Sequence, residues 1–207
     1  PQRRIDTNVV PGSEEKLDML QYCVQTLTER GYVFIGMDHF AKPDDELSIA
    51  LKEGFLQRNF QGYSTYADCD LVAIGVSSIG KIGSTYSQNE RDIDAYYAAL
   101  DAGHLPIMRG YQLDQDDILR RNIIQDLMCR FSLDYQIYES VFGIPFSRYF
   151  AAELEDMKQL ETLGLVRLKP HSLTVTPKGR FLIRNIAMVF DYHLRHKETK
   201  AKYSQTV

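Results

Sequence analysis

The chain has 207 residues, of which 44% are hydrophobic and 25% are charged, and its formal net charge is −4. These values are typical of a globular protein with one good core or two small ones, and they exclude a disordered or low-complexity chain. No apolar run approaches the roughly 20 residues of a membrane-spanning helix, and the start of the chain lacks the apolar core of a signal peptide. The composition therefore predicts a soluble protein of the cytoplasm.

The three cysteines, Cys23, Cys69 and Cys129, are widely scattered. An odd, scattered set argues against a disulfide framework and fits a reducing compartment. All three are expected to be small core or boundary residues, because free cysteine packs as a small hydrophobic side chain. No metal site is predicted in this chain.

The first half of the chain predicts alternating helices and strands. Ser13 and the acids after it open a predicted helix that runs to about Arg30. The apolar run Tyr32–Gly36 predicts a buried strand. Asp38 and His39 follow it, at the position where open α/β folds place polar site residues, the carboxyl end of a strand.

A second buried strand is predicted at Leu71–Val76, and a helix is predicted to begin in the acidic segment at 43–46. Between them, the segment RNFQGY at 58–63 sets polar and aromatic residues around a glycine. Two strands with polar or glycine-bearing tips predict one wall of a ligand site. An ordinary pair of strands with turn residues is an equal alternative on pattern alone.

A further helix is predicted from Asn89 to Gly103, with Ile93, Tyr96, Tyr97 and Leu100 facing inward, followed by an extended segment from 105. The remaining pattern is three helices, a β-hairpin and a closing helix, which is a winged-helix-like order. These elements are predicted at Ile118–Phe131, Tyr135–Val141, Pro145–Leu160, Leu165–Leu168 with Ser172–Val175, and Lys178 to about Arg195.

Several blocks together carry a family resemblance: GMDHFAKPDDEL, RNFQGY, DxDL with GVSSI, LRRNIIQDLMCRF and VTPKGRFLIRNIAMVFD. In this order and spacing they resemble the oxygen-independent coproporphyrinogen III oxidases, radical S-adenosylmethionine enzymes of haem biosynthesis. The resemblance covers almost the whole chain. A haem-transfer branch of the superfamily carries a histidine and a tryptophan in the block matching RNFQGY, whereas Arg58 and Tyr63 stand here. A haem-binding relative without oxidase activity is therefore the weaker alternative.

The resemblance implies an α/β fold in two parts. Residues 1–113 would be the last units of a partial βα, TIM-like barrel with a segment after it, and residues 114–207 a mainly α, winged-helix-like C-terminal domain. The family oxidatively decarboxylates two propionates of coproporphyrinogen III to vinyl groups, using two S-adenosylmethionine molecules and a 4Fe–4S cluster held by C-x3-C-x2-C. This chain has no such triplet, so it is predicted to be the C-terminal part of a longer enzyme and inactive alone.

The resemblance also implies site residues. Gln61 and Ile79 match the family positions that contact the second S-adenosylmethionine. From their positions in the sequence, possible site-lining residues are Asp38, His39, Arg58, Asn59 and Tyr63, with a structural hydrogen-bonded pair as the alternative for Asp38 and His39. No residue is assigned a catalytic role, because in the family a radical derived from the cofactor abstracts the hydrogen.

The end of the chain is basic, with 9 basic and 2 acidic residues over 163–207. Arg180 and Arg184 are four residues apart, so on one continuous helix they would share a face and could bind substrate propionates. A solvated face or a nucleic-acid contact are the alternatives. A winged-helix DNA-binding module is the main rival function, but its presumed recognition helix is net acidic. The expected partner is coproporphyrinogen III, with donor and acceptor of electrons left open, no nucleic acid, no membrane and a monomeric state.

Overall fold

A computed structural model describes residues 6, 9–66 and 69–196; the rest of the two predicted parts lies outside the described residues. The helices of the described part, numbered in chain order from α1 to α10, are Ser13–Glu29, Glu46–Glu53, Ile93–Asp101, Gln115–Arg130, Tyr135–Phe142, Phe146–Tyr149, Ala151–Thr162, Pro177–Arg180, Ile183–Met188 and Tyr192–Arg195. Its strands, numbered from β1 to β10, are Val33–Gly36, His39–Ala41, Gln57–Asn59, Gly62–Ser64, Ile79–Ile82, Thr85–Asn89, Ile107–Gln112, Ser132–Asp134, Val166–Lys169 and Ser172–Val175.

Mixed α/β content is confirmed, but the strands do not form a closed barrel. Strands β1–β2 and β3–β4 are separate hairpins, and the two three-stranded sheets have the orders β5-β6-β7 and β8-β10-β9. Every strand pair of the described residues is antiparallel. The parallel pairing that a βα barrel requires is therefore not found within the described ranges.

The strand predicted before Asp38 exists, but its surroundings were predicted wrongly. Strand β1 turns back at Met37, which has a φ of +55°, and pairs with β2. Asp38 therefore lies in a hairpin turn after β1 and His39 begins β2, and β1 has no parallel neighbour among the described residues. The turn is local, because Met37 adopts a positive φ that reverses the chain.

The strand predicted at Leu71–Val76 is not found. Leu71 makes an isolated antiparallel bridge to Lys81, and the rest of the segment is irregular. The side-chain amide of Asn89 holds this loop by donating to the carbonyls of Ala73 (3.3 Å) and Gly75 (3.0 Å). Val72, Ile74 and Val76 of the run are exposed, Ile74 by 83%, whereas Leu71 and Ala73 are half-buried. The run is apolar without being buried, which is why its pattern predicted a core strand.

The first two helices follow their local signals. Helix α1 occupies the predicted range, although Gly12 and not Ser13 is the N-cap. Asp45 caps α2 through a 2.9 Å bond from the backbone N–H of Leu47. A side-chain cap therefore sets the start of α2, whereas α1 begins without one.

Helix α3 is present, but three of the four residues predicted to face inward do not. Ile93, Tyr97 and Leu100 are exposed, and Tyr96 is half-buried with its hydroxyl accepting from the N–H of Gly75. No described element packs over the exposed side chains. Residues 69–113 add none of the buried hydrophobic side chains that form the core of the described protein.

The core is built mainly by the second part of the chain. Asp114 and Asp117 form a capping box at the start of α4, and Ile123 and Leu127 of that helix are fully buried. Ile35 and Leu56 from the first part pack into the same cluster. The hydrophobic core therefore joins α4 and the helices after it to β1 and the segment before β3.

Two long helices predicted in the second part are broken. The third helix is divided at Phe150, whose fully buried ring lies 5.5 Å from that of Phe190. The last predicted helix is divided into α8, α9 and α10. Strand β8 was missed, because three residues between two helices carry little periodic signal. None of the described helices is long and apolar enough to span a membrane.

Candidate functional site

A cavity of about 640 Å³ opens between the β3–β4 hairpin, the β5–β6 pair and α4. Four of the predicted site residues line it: Arg58, Asn59, Gln61 and Tyr63. Its volume lies within the range of about 300–1,000 Å³ that is usual for small-molecule sites. The cavity is therefore the candidate functional site of the described chain.

The RNFQGY segment forms the β3–β4 hairpin, with Phe60 and Gln61 exposed at its tip. The Oδ1 atom of Asn59 accepts from the backbone N–H of Gln61 at 2.8 Å, which fixes the turn. Gly62 has a φ of +137°, and a Cβ there would lie 2.8 Å from Nε2 of His39. This turn holds the Gln61 side chain at the edge of the cavity.

Tyr63 anchors the hairpin to α4. Its ring is buried, and its hydroxyl donates to the carbonyl of Met128 at 3.0 Å. Burial raises the pKa of the Tyr63 hydroxyl to about 12. The guanidinium carbon of Arg58 lies 5.8 Å from the centre of the same ring. Tyr63 therefore positions the cavity wall, and as a neutral phenol it is a poor general base.

Asp38 and His39 lie beside the hairpin, but neither lines the cavity. Nδ1 of His39 is 2.7 Å from Oδ1 of Asp38, and the imidazole meets the Tyr63 ring edge-on at 5.1 Å between centres. The side chain of Asp38 is 81% exposed. His39 of this pair therefore packs against the β3–β4 hairpin at Tyr63, and Asp38 lies at the surface.

Ile79 is half-buried on β5, where it pairs with Gln88, and it does not line the cavity. Lys81 of the same strand does. Residues two apart on a strand share a face, so Ile79 and Lys81 project to the same side of β5.

Arg180 and Arg184 do not share a helix face. Arg180 ends α8, whereas Arg184 lies on α9 and is exposed. Nη2 of Arg180 donates to the carbonyls of Phe34 (2.8 Å) and Ile35 (3.3 Å). Burial lowers the pKa of this guanidinium. The single helix from which the shared face was predicted is interrupted before Ile183.

Arg121 is a cavity residue that the sequence patterns did not reveal. It lies on α4 one turn before Gln125, whose Nε2 donates to Oε1 of Gln57 at 2.8 Å. The sequence feature that could have revealed Arg121 is its position four residues before Gln125, because residues at this spacing share a helix face. The pattern alone did not show what that face contacts.

The three cysteines do not form a cluster. Cys129 is buried, and burial raises the pKa of its thiol to about 12, whereas Cys23 and Cys69 are exposed, so the predicted core or boundary position is wrong for these two. Within residues 6, 9–66 and 69–196, no three His, Cys, Asp or Glu side chains are grouped to hold a metal ion.

Comparison with known proteins identifies the class of the second part first. Residues 113–182 match the family "HemN C-terminal domain". The whole chain is 47% identical to an oxygen-independent coproporphyrinogen III oxidase of Synechocystis and 45% identical to that of Escherichia coli, and it covers 45% of each relative. It is also 46% identical to a solved radical SAM enzyme, coproporphyrinogen III oxidase (HemN) from Escherichia coli, with a TM-score of 0.87 over 93% of this chain and 44% of that one.

The family resemblance carried by the motifs is thereby confirmed. Over its whole length the chain is similar to the oxygen-independent coproporphyrinogen III oxidases of the HemN type, and it spans less than half the length of these two relatives.

Proposed function

We propose that the chain forms the C-terminal part of an enzyme that oxidatively decarboxylates two propionates of coproporphyrinogen III to vinyl groups, as the names of its relatives suggest. The observation that carries the proposal is the cavity at the RNFQGY hairpin, in a chain 45–47% identical to these oxidases. Cavities of this size with a few convergent polar groups are typical of ligand sites.

The 4Fe–4S cluster would be bound elsewhere in the enzyme. The cysteines of the described residues do not fit a cluster, because Cys129 is buried with a raised thiol pKa and the others are far from it in sequence. No step is therefore assigned to a cluster on this chain. The part of the relatives that this chain does not span would supply its ligands.

The second S-adenosylmethionine would lie at the cavity. Gln61 lines it and is exposed, and its amide can both donate to and accept from a polar ligand edge. Ile79 projects from the same face of β5 as Lys81 and would add an apolar contact. Bound S-adenosylmethionine supplies the oxidising chemistry in this class of enzyme. Gln61 and Ile79 would bind and orient it.

The two parts of the chain would have different tasks. We propose that α1 and β1 are the last helix–strand unit of a partial barrel within residues 1–113. Residues 114–207 would be a winged-helix-like cover, because α4, β8, α5, α7 and the β9–β10 hairpin follow in that order. This domain would not bind nucleic acid, since α7 is net acidic, with the acids Glu153, Glu155, Asp156 and Glu161 against the single base Lys158. We further propose that the enzyme is a monomer and that it lies in the cytoplasm.

The experiment compares Gln61→Ala with wild type in the full-length enzyme. We expect porphyrinogen oxidation to be lost while the content of iron and sulfide stays near the wild-type level. Exposed Gln61 makes no side-chain hydrogen bond within the described residues, so the fold should tolerate the change. Full activity in a folded Gln61→Ala enzyme would remove the assignment of the second cofactor site.

A further inference from the structure

The cavity contains two arginines whose buried donors have no partner in the described part of the protein. Arg58 on β3 and Arg121 on α4 both line it. Nε of Arg58 and Nη1 of Arg121 are buried and make no hydrogen bond within the described residues. Most buried donors in proteins are paired, because an unpaired one is costly. Each of these two cavity-lining guanidinium groups therefore keeps an unpaired donor within the described residues.

Other arginines of the chain show the contacts that a structural guanidinium group makes. Arg120, adjacent to Arg121, contacts Asp116 at 2.7 Å and Glu153 at 2.8 Å. Arg180 also has an unpaired Nε, but its Nη2 donates to two carbonyls and it does not line the cavity. In contrast, Arg58 and Arg121 have no ion pair and no hydrogen bond from their side chains in the part of the chain that the structure describes. Their charge is therefore free for a ligand.

The charged side chains of the cavity are mainly cationic. Lys81 joins the two arginines, and Asp70 is the acidic residue of the lining. One oxygen of Asp70 is already engaged, since Oδ1 accepts from the N–H of Gly83 at 2.8 Å. Three cations against one carboxylate favour an anion in the cavity.

Both arginines are carried by elements that are fixed to each other. The Gln57–Gln125 bond (2.8 Å) and the Tyr63–Met128 bond (3.0 Å) connect the hairpin to α4 on either side of Arg58. The cations are thus positioned before a ligand arrives, which reduces the entropy lost on binding.

Aromatic rings complete the lining. Phe60 and Tyr86 meet edge-on with 5.3 Å between centres, and the ring of Tyr66 is 70% exposed. Exposed rings beside cations suit a ligand with a flat part and an acidic group.

We propose that Arg58 and Arg121 form a carboxylate-binding subsite of this cavity. The planar guanidinium offers parallel donors that match the two oxygens of a carboxylate. The identity of the carboxylate rests on the proposed function. It is either a propionate of the tetrapyrrole or the amino-acid end of the second S-adenosylmethionine. In both cases Arg58 and Arg121 bind and orient the ligand and take no part in bond breaking.

The first arm of the test uses benzoate and its neutral analogue benzamide with the 207-residue chain labelled with ¹⁵N at arginine. The Nε–H signals of Arg58 and Arg121, assigned from Arg58→Gln and Arg121→Gln, should shift with benzoate and stay in place with benzamide. The signal of Arg167, which is exposed on β9 and outside the cavity, serves as the reference. This arm does not depend on the enzyme's reaction.

The second arm separates the two sources. Binding of coproporphyrin III is followed by its fluorescence, and binding of S-adenosylmethionine by equilibrium dialysis. We expect each glutamine substitution to lower the affinity for one of the two probes by about tenfold or more, because a charge-assisted hydrogen-bonded pair is lost. Arg167→Gln should stay within about twofold of wild type. Arg121→Lys should fall between wild type and Arg121→Gln, because it keeps the charge but loses the planar fork.

The outcomes are distinct. Unshifted Arg58 and Arg121 signals with benzoate, or wild-type affinity for both probes in the folded glutamine variants, would overturn the subsite. A benzoate response without binding of either larger probe would support the subsite and count against the proposed function. Melting temperatures of the variants show whether a loss of binding reflects unfolding.

Discussion

Arg180 should stabilise the fold more than it binds substrate. The structure places its guanidinium 4.2 Å from the centre of the Phe131 ring, with Nη2 donating to the carbonyls of Phe34 and Ile35. These contacts join α8 to β1, about 145 residues away in the chain. The informative substitution is Arg180→Met, which keeps much of the side-chain length and removes the donors.

Arg180→Met removes two hydrogen bonds and two cation–π contacts, with the rings of Phe34 (5.2 Å) and Phe131 (4.2 Å), and it also relieves the desolvation of a charge. Each charged hydrogen bond contributes about 1.5–3 kcal/mol, and the 3.3 Å bond belongs at the low end. The two cation–π contacts together add about 1–2 kcal/mol. Removing a buried charge with an unpaired Nε returns part of this sum, because burial of the guanidinium was itself unfavourable. A net decrease of about 2–3 kcal/mol in the free energy of unfolding is therefore expected.

The assay is urea denaturation followed by circular dichroism, with Arg184→Met as the matched control. Arg184 is exposed and has no bonded partner within the described ranges, so its substitution should change stability by less than about 0.5 kcal/mol. For Arg180→Met the melting temperature should fall by about 4–12 °C. Equal stability of the two variants would refute the anchoring role. A large rise in the Michaelis constant of the full-length enzyme for both variants would instead restore the arginine pair as a propionate site.

Three further outcomes are expected. Gly62→Ala should destabilise the RNFQGY hairpin, because of its positive φ and the contact with His39, and should lower the melting temperature more than Gly12→Ala, which meets open space; equal effects would contradict this. At pH 8 a maleimide reagent should label Cys23 and Cys69 but not Cys129, whose thiol is buried with a pKa of about 12; three labels on the folded chain, counted by mass spectrometry, would show that the site opens. Because burial raises the folded pKa of Tyr63 to about 12, its contribution is complete below pH of about 10 and is lost as the pH rises toward 12, so Tyr63→Phe should flatten the fall of stability in that window; an unchanged slope would locate the titration elsewhere.

Local signals in the sequence were enough for several elements. An acidic cap and a glycine stop predicted α2 at Asp45 and α1 before Gly31, and the pairing of β9 with β10 followed from two short apolar strands around a turn. Each of these depends on residues within a few positions of each other, which is where sequence patterns are informative. The RNFQGY motif likewise predicted four residues that line the cavity.

Only the tertiary structure decided which apolar runs are buried and what the arginines contact. The run at 71–76 and the face of α3 are apolar but exposed, since burial depends on what packs against them and not on their own pattern. Three arginines show the second point. Arg180 contacts backbone carbonyls of β1, whereas Arg58 and Arg121 line a cavity without partners among the described residues. Long side chains reach partners that are far away in sequence, so the role of each arginine was determined by the packing of α4, α8 and the hairpin.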